Sequence, residues 1–151
     1  MKILVIDGQG GRMGSQFIER FKKTAHIQAH IVAVGTNSLA SSAMLKAGAD
    51  KAATGENPVL VNTRDADYVV GPIGILAADA LLGEVTPAMA AAVGSCRGLK
   101  VLIPVNACNY RVAGVGNHTL NELIDDVIAQ ILQAEKEKQK QERGSGRVLP
   151  L

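Results

Sequence analysis

Short apolar runs alternate in this chain with stretches where apolar residues return every three or four positions. Lys2-Ile3-Leu4-Val5-Ile6 opens as a buried strand, and Met13, Phe17, Ile18 and Phe21 then share one side of a helix over 12–23. A second strand is predicted over 27–34, ended by Gly35. A second helix over 39–47 follows, capped by Asn37 or Ser38 and closed by Gly48. A short strand over 49–53 and an extended piece around 59–62 come next. Asp67-Tyr68-Val69-Val70 reads as a central buried strand, ended by Gly71-Pro72-Ile73-Gly74, with a helix from there through Leu82. Thr86-Pro87 pairs a capping residue with a proline at the first helical position and starts a helix to about Cys96. The run 99–105 is a strongly apolar strand whose Pro104 marks an edge or an irregular end. A last short strand is predicted over 111–115. Leu120, Leu123, Ile124, Val127, Ile128, Ile131 and Leu132 then repeat at helical spacing behind Thr119 as cap. From Gln133 the chain turns polar. Residues 133–143 read as a charged helix extension and 144–151 as a disordered tail.

This alternation predicts an α/β protein, a Rossmann-like three-layer sandwich with a mostly parallel sheet and a long C-terminal helix. One nucleotide-binding domain over 1–132 accommodates it. The 151 residues are 47% hydrophobic, enough for a sizeable core. A net charge of +2, 3% aromatics and no tryptophan leave no basic stripe interleaved with stacking side chains, so a nucleic-acid partner is not expected. Cys96 and Cys108 have no CxxC spacing, and His26, His30 and His118 form no ligand set on a helix, so no metal is expected. Met1 leads straight into a strand without a charged n-region and long apolar h-region, and no apolar run reaches the ~18 residues of a membrane span. A cytoplasmic protein with no membrane partner is expected.

The chemistry concentrates in Gly8-Gln9-Gly10-Gly11-Arg12-Met13-Gly14, between the first strand and the first helix. Glycines let backbone amides approach an anion closely, and a helix N-terminus adds unpaired donors and partial positive charge. The string closely resembles the cofactor loop of dihydrodipicolinate reductases. That resemblance, over about the first twenty residues, implies that Gly8, Gln9, Gly10, Gly11, Arg12, Met13 and Gly14 hold the pyrophosphate of NAD or NADP. The reductases' substrate domain and histidine-rich catalytic segment have no counterpart here, so hydride transfer to their substrate is not implied. Asp7 departs from the dinucleotide pattern, which has a small neutral residue there. It either repels a pyrophosphate unless a metal or Arg12 intervenes, or holds the loop as an Asx-type turn. At the end of the second strand, Thr36, Asn37 and Ser38 replace the acid that often binds ribose. They bind a ribose or 2′-phosphate, or cap the next helix. No G-K-[ST] ending follows the glycines, which disfavours a P-loop ATPase.

In open α/β sheets ligands sit beyond the carboxyl ends of the strands. The small polar residues expected there also include 54–57, Asn62, Gly71, Pro72, Ile73, Gly74, Asn106 and Asn109. Gly71 to Gly74 offer backbone donors and Asn106 a side-chain amide to the same ligand. Acid–base candidates are few: Asp7, and Glu56 in a predicted loop on this rim, either as general base. Asp79 is expected to be exposed, and Cys108 has no visible histidine partner.

Over the longer range, Ile6-Asp7-Gly8-Gln9-Gly10-Gly11, Gly35-Thr36-Asn37-Ser38, Ala53-Thr54-Gly55-Glu56-Asn57, Gly71-Pro72-Ile73-Gly74-Ile75, Thr86-Pro87-Ala88-Met89 and Ile103-Pro104-Val105-Asn106 together resemble a small bacterial family, domain of unknown function 3842. The likeness runs from about Met1 to Leu132. It implies a Rossmann-like fold and supplies no substrate, cofactor or catalytic residue. The leading expectation is a small nucleotide- or dinucleotide-binding protein, NAD(P) first among its ligands. The alternatives are an enzyme acting on a small phosphorylated metabolite and a non-catalytic regulatory or assembly subunit. A homodimer is expected, through the apolar stripe of the last helix or the alanine-rich helix before it.

Overall fold

Strand alternation sorts the core into two layers. Ile3 and Val5 of the first strand pack with Phe17, Ile18, Met44 and Ile124 on one face of the sheet. Leu4 and Ile6 pack with Val59, Ile75, Met89 and Val93 on the other. The structure, a computed structural model, describes residues 1–105 and 110–146.

In chain order the elements are β1 Lys2–Asp7, α1 Arg12–Thr24, β2 His30–Gly35, α2 Ser38–Lys46, β3 Lys51–Thr54, α3 Glu56–Asn62, β4 Tyr68–Pro72, a short 3-10 turn Ile73–Leu76, α4 Pro87–Ser95, β5 Leu99–Ile103 and α5 Leu120–Ser145. The five strands form one sheet in the order β3-β2-β1-β4-β5, and every pairing is parallel. Helices cover both faces, α1, α2 and α5 on one and α3 and α4 on the other. This is the three-layer α/β arrangement the alternation predicts. The chain reverses its winding at β1–β4, which places the ligand crevice of such folds above the ends of those two strands.

Several elements differ from the sequence expectation. Residues 59–62 lie in α3, a helix, because Glu56 and Asn57 start it and Pro58 falls in its first turn, where a missing amide costs nothing. The helix expected after Gly74 is only the 3-10 turn. Asp79, Leu81, Leu82 and Gly83 follow it with positive φ and stop it from propagating. β4 is the buried interior strand expected, paired with β1 on one side and β5 on the other. β1 is the third of the five strands across the sheet. Residues 111–115 form no strand. β5 ends at Ile103, just before Pro104, and is an edge strand.

α5 runs on through the charged stretch and includes Gly144 and Ser145, two residues of the expected disordered tail; the tail's 147–151 lie outside the described residues. Its apolar stripe, Ile124, Val127, Ile128 and Ile131, is buried within this same chain. Arg20 of α1 forks onto Asp125 of α5, and the Tyr68 hydroxyl donates to Glu135 at 2.6 Å. Among the described residues no helix is long and apolar enough to cross a membrane.

Candidate functional site

A parallel sheet brings all its carboxyl ends to one rim. The registers Asp7↔Gly35, Gly35↔Thr54, Val5↔Val70 and Pro72↔Ile103 put the carboxyl ends of all five strands there together. The turn after β1 carries the glycines. Gly11 takes a left-handed φ of 71° and lies against Ala40, where a Cβ would come within 2.8 Å of backbone. Gly14 lets α1 settle onto β1 and α2, since a Cβ there would meet Met44 Sδ at 2.5 Å and Asp7 Cβ at 3.2 Å.

Asp7 is turned inward. It is 6% exposed; one carboxylate oxygen accepts from the Gly8 amide and the other from the Gly14 amide, both at 2.8 Å. Burial pushes its pKa up from 3.8; the amides of Gly14, Gly8 and Met13 pull it back, and the nearby Glu84 charge adds a smaller upward push. The net direction is up. This is the turn-holding arrangement, with the first turn of α1 capped by a carboxylate of the preceding strand.

The remaining loop amides divide clearly. Gly11 donates to the Gly8 carbonyl at 2.9 Å and Gln9 to Glu84 Oε2 at 2.8 Å. Among the described residues, the amides of Gly10 and Arg12 have no protein partner. Gly10 and the Arg12 side chain are exposed. A Cβ on Gly10 would meet nothing within 4 Å.

Across the crevice, Asn37 caps α2, its Oδ1 accepting from the Ala40 amide at 2.9 Å. Its Nδ2 donates to the Gln9 carbonyl and to Glu84 Oε1, each at 2.9 Å. The Thr36 hydroxyl donates to Glu84 Oε2 at 2.8 Å. Ser38 is exposed as the first residue of α2. The structure thus brings Gly8 to Gly14 together with Thr36 and Asn37. Gly71 and Pro72 end β4 on the same rim, and Ile73 and Gly74 start the 3-10 turn. Glu56 is the first residue of α3, not a loop residue; its carboxylate accepts from Thr86 Oγ1, the cap of α4, and has no bond to the glycine turn. Asn106, Asn109 and Cys108 lie outside the described residues.

Sequence reasoning passed over Glu84. It stands in the apolar run Ile73–Met89, in which Asp79 is the other acid, between the helix expected through Leu82 and the one expected from Thr86. A lone acid after Gly83, in an otherwise apolar stretch leaving a strand's carboxyl end, is the signal that marks it. Its three donors hold its carboxyl below the usual range, the Gln9 amide foremost. Beyond the ends of β4 and β5 lies an open cavity of about 1400 Å³, lined by Ile73, Pro104, Tyr110, Arg111, Asn117 and His118 among others.

Fold and rim together define a Rossmann-like α/β domain with a glycine turn at its first strand–helix junction. The chain belongs to the family called Domain of unknown function (DUF3842), whose model matches residues 2–136. No curated protein matches it. Among solved structures it is similar to a dodecameric FMN-dependent Ubix-like decarboxylase from Escherichia coli O157:H7, with 13% identity over 90% of this chain and 95% of that one and a TM-score of 0.41. At that score the likeness carries no chemistry across.

Proposed function

We propose that this protein binds a nucleotide through the turn after β1, with a dinucleotide of the NAD(P) type as the leading ligand. The observation that carries the reading is the division of the loop's amides. Asp7 and Glu84 take those of Gly8, Gly14 and Gln9, while Gly10 and Arg12, at the mouth of α1, keep theirs free among the described residues. Two outward amides at a helix N-terminus, with an exposed guanidinium on the same turn, suit a phosphate oxygen.

Gly10→Asp tests this without disturbing the fold, because a side chain there meets open space. Calorimetric titration with NADH, NADPH and ADP is expected to show binding to the wild type and at least a tenfold loss in the variant, whose carboxylate repels the phosphate. The melting temperature of the unliganded variant stays unchanged. Equal affinity in the two proteins contradicts the reading.

A second reading has its own observation. The cavity beside Ile73, with Arg111 and His118 in its wall, offers room and charge for a small phosphorylated metabolite next to the nucleotide seat, and favours an enzyme over a simple binding protein. The expected regulatory or assembly role loses one support, since the stripe of α5 is spent on its own core.

A further inference from the structure

A carboxylate from a third part of the chain joins the glycine turn to the segment after β2. Glu84 accepts from the Gln9 amide and the Thr36 hydroxyl on Oε2, and from Asn37 Nδ2 on Oε1. The backbone delivering it is strained: Asp79, Leu81 and Leu82 have φ of 65°, 56° and 58°, a region side-chain-bearing residues seldom enter. Burial of Ala80, Leu81 and Val85 holds that strain, as do the bonds Asp79 N to Val85 O at 2.7 Å and Val85 N to Ala80 O at 3.1 Å. Backbone held against its preference by packing is characteristic of a group placed for a purpose.

The valences left over at this spot decide what it accepts. Both Asn37 amide hydrogens are used, on Gln9 O and Glu84 Oε1, and its Oδ1 is taken by Ala40 N. The single Thr36 hydroxyl hydrogen goes to Glu84, and the Thr36 amide goes to Asp7 O. What remains is acceptor capacity: a lone pair on Glu84 Oε1 and lone pairs on Thr36 Oγ1. A ribose cis-diol brings two O–H donors to such a place. A 2′-phosphate brings only acceptors and negative charge, and meets the like charge of Glu84 here, with the exposed Ser38 hydroxyl at the start of α2 as the neighbouring side-chain donor.

We infer that Glu84 is a specificity-determining residue that, with Thr36, receives the ribose cis-diol of a nucleotide whose phosphates sit on the Gly10 and Arg12 amides. This rests on the nucleotide reading and narrows it to nucleotides unphosphorylated at the ribose 2′ position, NAD rather than NADP. The acid that dinucleotide sites place at the end of β2 is absent there and arrives instead from the segment between β4 and α4.

The test is calorimetric titration of the full chain with ADP, 2′-deoxy-ADP, NADH and NADPH. The wild type is expected to prefer ADP over 2′-deoxy-ADP, and NADH over NADPH, by about tenfold each, the effect of one charge-assisted hydrogen bond. Glu84→Gln, which keeps the shape and adds a donor, is expected to lose both preferences. The wild-type comparison alone decides the matter if that variant does not fold. Equal wild-type affinity for ADP and 2′-deoxy-ADP overturns the role of Glu84 and leaves the nucleotide reading standing. So does a Glu84→Gln variant that binds all four more tightly, which makes the carboxylate a mere occupant of the seat. Binding of none of them overturns both.

Discussion

Asp7 illustrates how one buried carboxylate serves structure and electrostatics at once. Its two oxygens accept from the Gly8 and Gly14 amides, while the Gly10 and Arg12 amides have no protein partner among the described residues. Because its folded-state pKa lies above the ordinary 3.8, the folded protein holds this proton more tightly than the unfolded chain does. The resulting stabilisation is fully present below about pH 4 and is lost as the pH rises through the folded pKa. Urea unfolding of wild type and Asp7→Asn between pH 3 and pH 7 is therefore expected to show the wild type losing stability relative to the variant as pH rises. A difference independent of pH contradicts the assignment. The glycines and the polar residues after β2 were legible in the sequence because their chemistry is local. Asp7 was legible only as a choice between two roles, and Glu84 not at all. Its partners lie 47 and more positions away, and the identity of the residue carries no trace of which loop it will meet.

Strands and amphipathic helices were read well where one period dominated, as in β1, α1 and α5. The readings went astray where two signals competed. Val59, Leu60 and Val61 look like a strand until the helix-starting residues 56–58 are counted with them. Residues 77–82 are rich in alanine and leucine, yet tertiary packing holds three of them left-handed. The junction of β1, α1 and α2 depends on Gly14 having no side chain. Gly14→Ala pushes a methyl to within 2.5 Å of Met44 Sδ, and overpacking of this kind costs about 1–3 kcal/mol. Thermal denaturation is expected to show a fall of several degrees, with far-UV spectra unchanged. An unaltered melting point would mean that Met44 moves aside and that the α1–α2 contact is looser than described.

The molecule divides into a rim of polar turns at the strands' carboxyl ends and a lower body that carries stability. α5, at 26 residues about 39 Å long, closes the body. Its first half is buried by Ile124, Val127, Ile128 and Ile131, and Glu135, bonded to the Tyr68 hydroxyl, is among the described residues the last tied by a hydrogen bond to the sheet. Beyond Lys138, which sits 4.7 Å from the centre of the Tyr68 ring, the helix is exposed. Truncation after Lys138 is expected to leave the melting temperature within about 2 °C of wild type, since residues 139–146 are exposed and changes at exposed positions are small and of either sign; a large loss would assign the charged extension a structural partner. The parallel sheet and its two-faced core followed from alternation alone, whereas strand order did not, because pairing partners are chosen by the connections and not by any one strand.

Backbone amide NMR of the 15N-labelled chain, titrated with ADP, addresses the proposed nucleotide seat itself. The account predicts saturable shifts of the Gly10 and Arg12 amides, with those of Thr36 and Glu84 moving in step. Shifts confined to the cavity around Tyr110 and His118, with Gly10 and Arg12 unmoved, would contradict it.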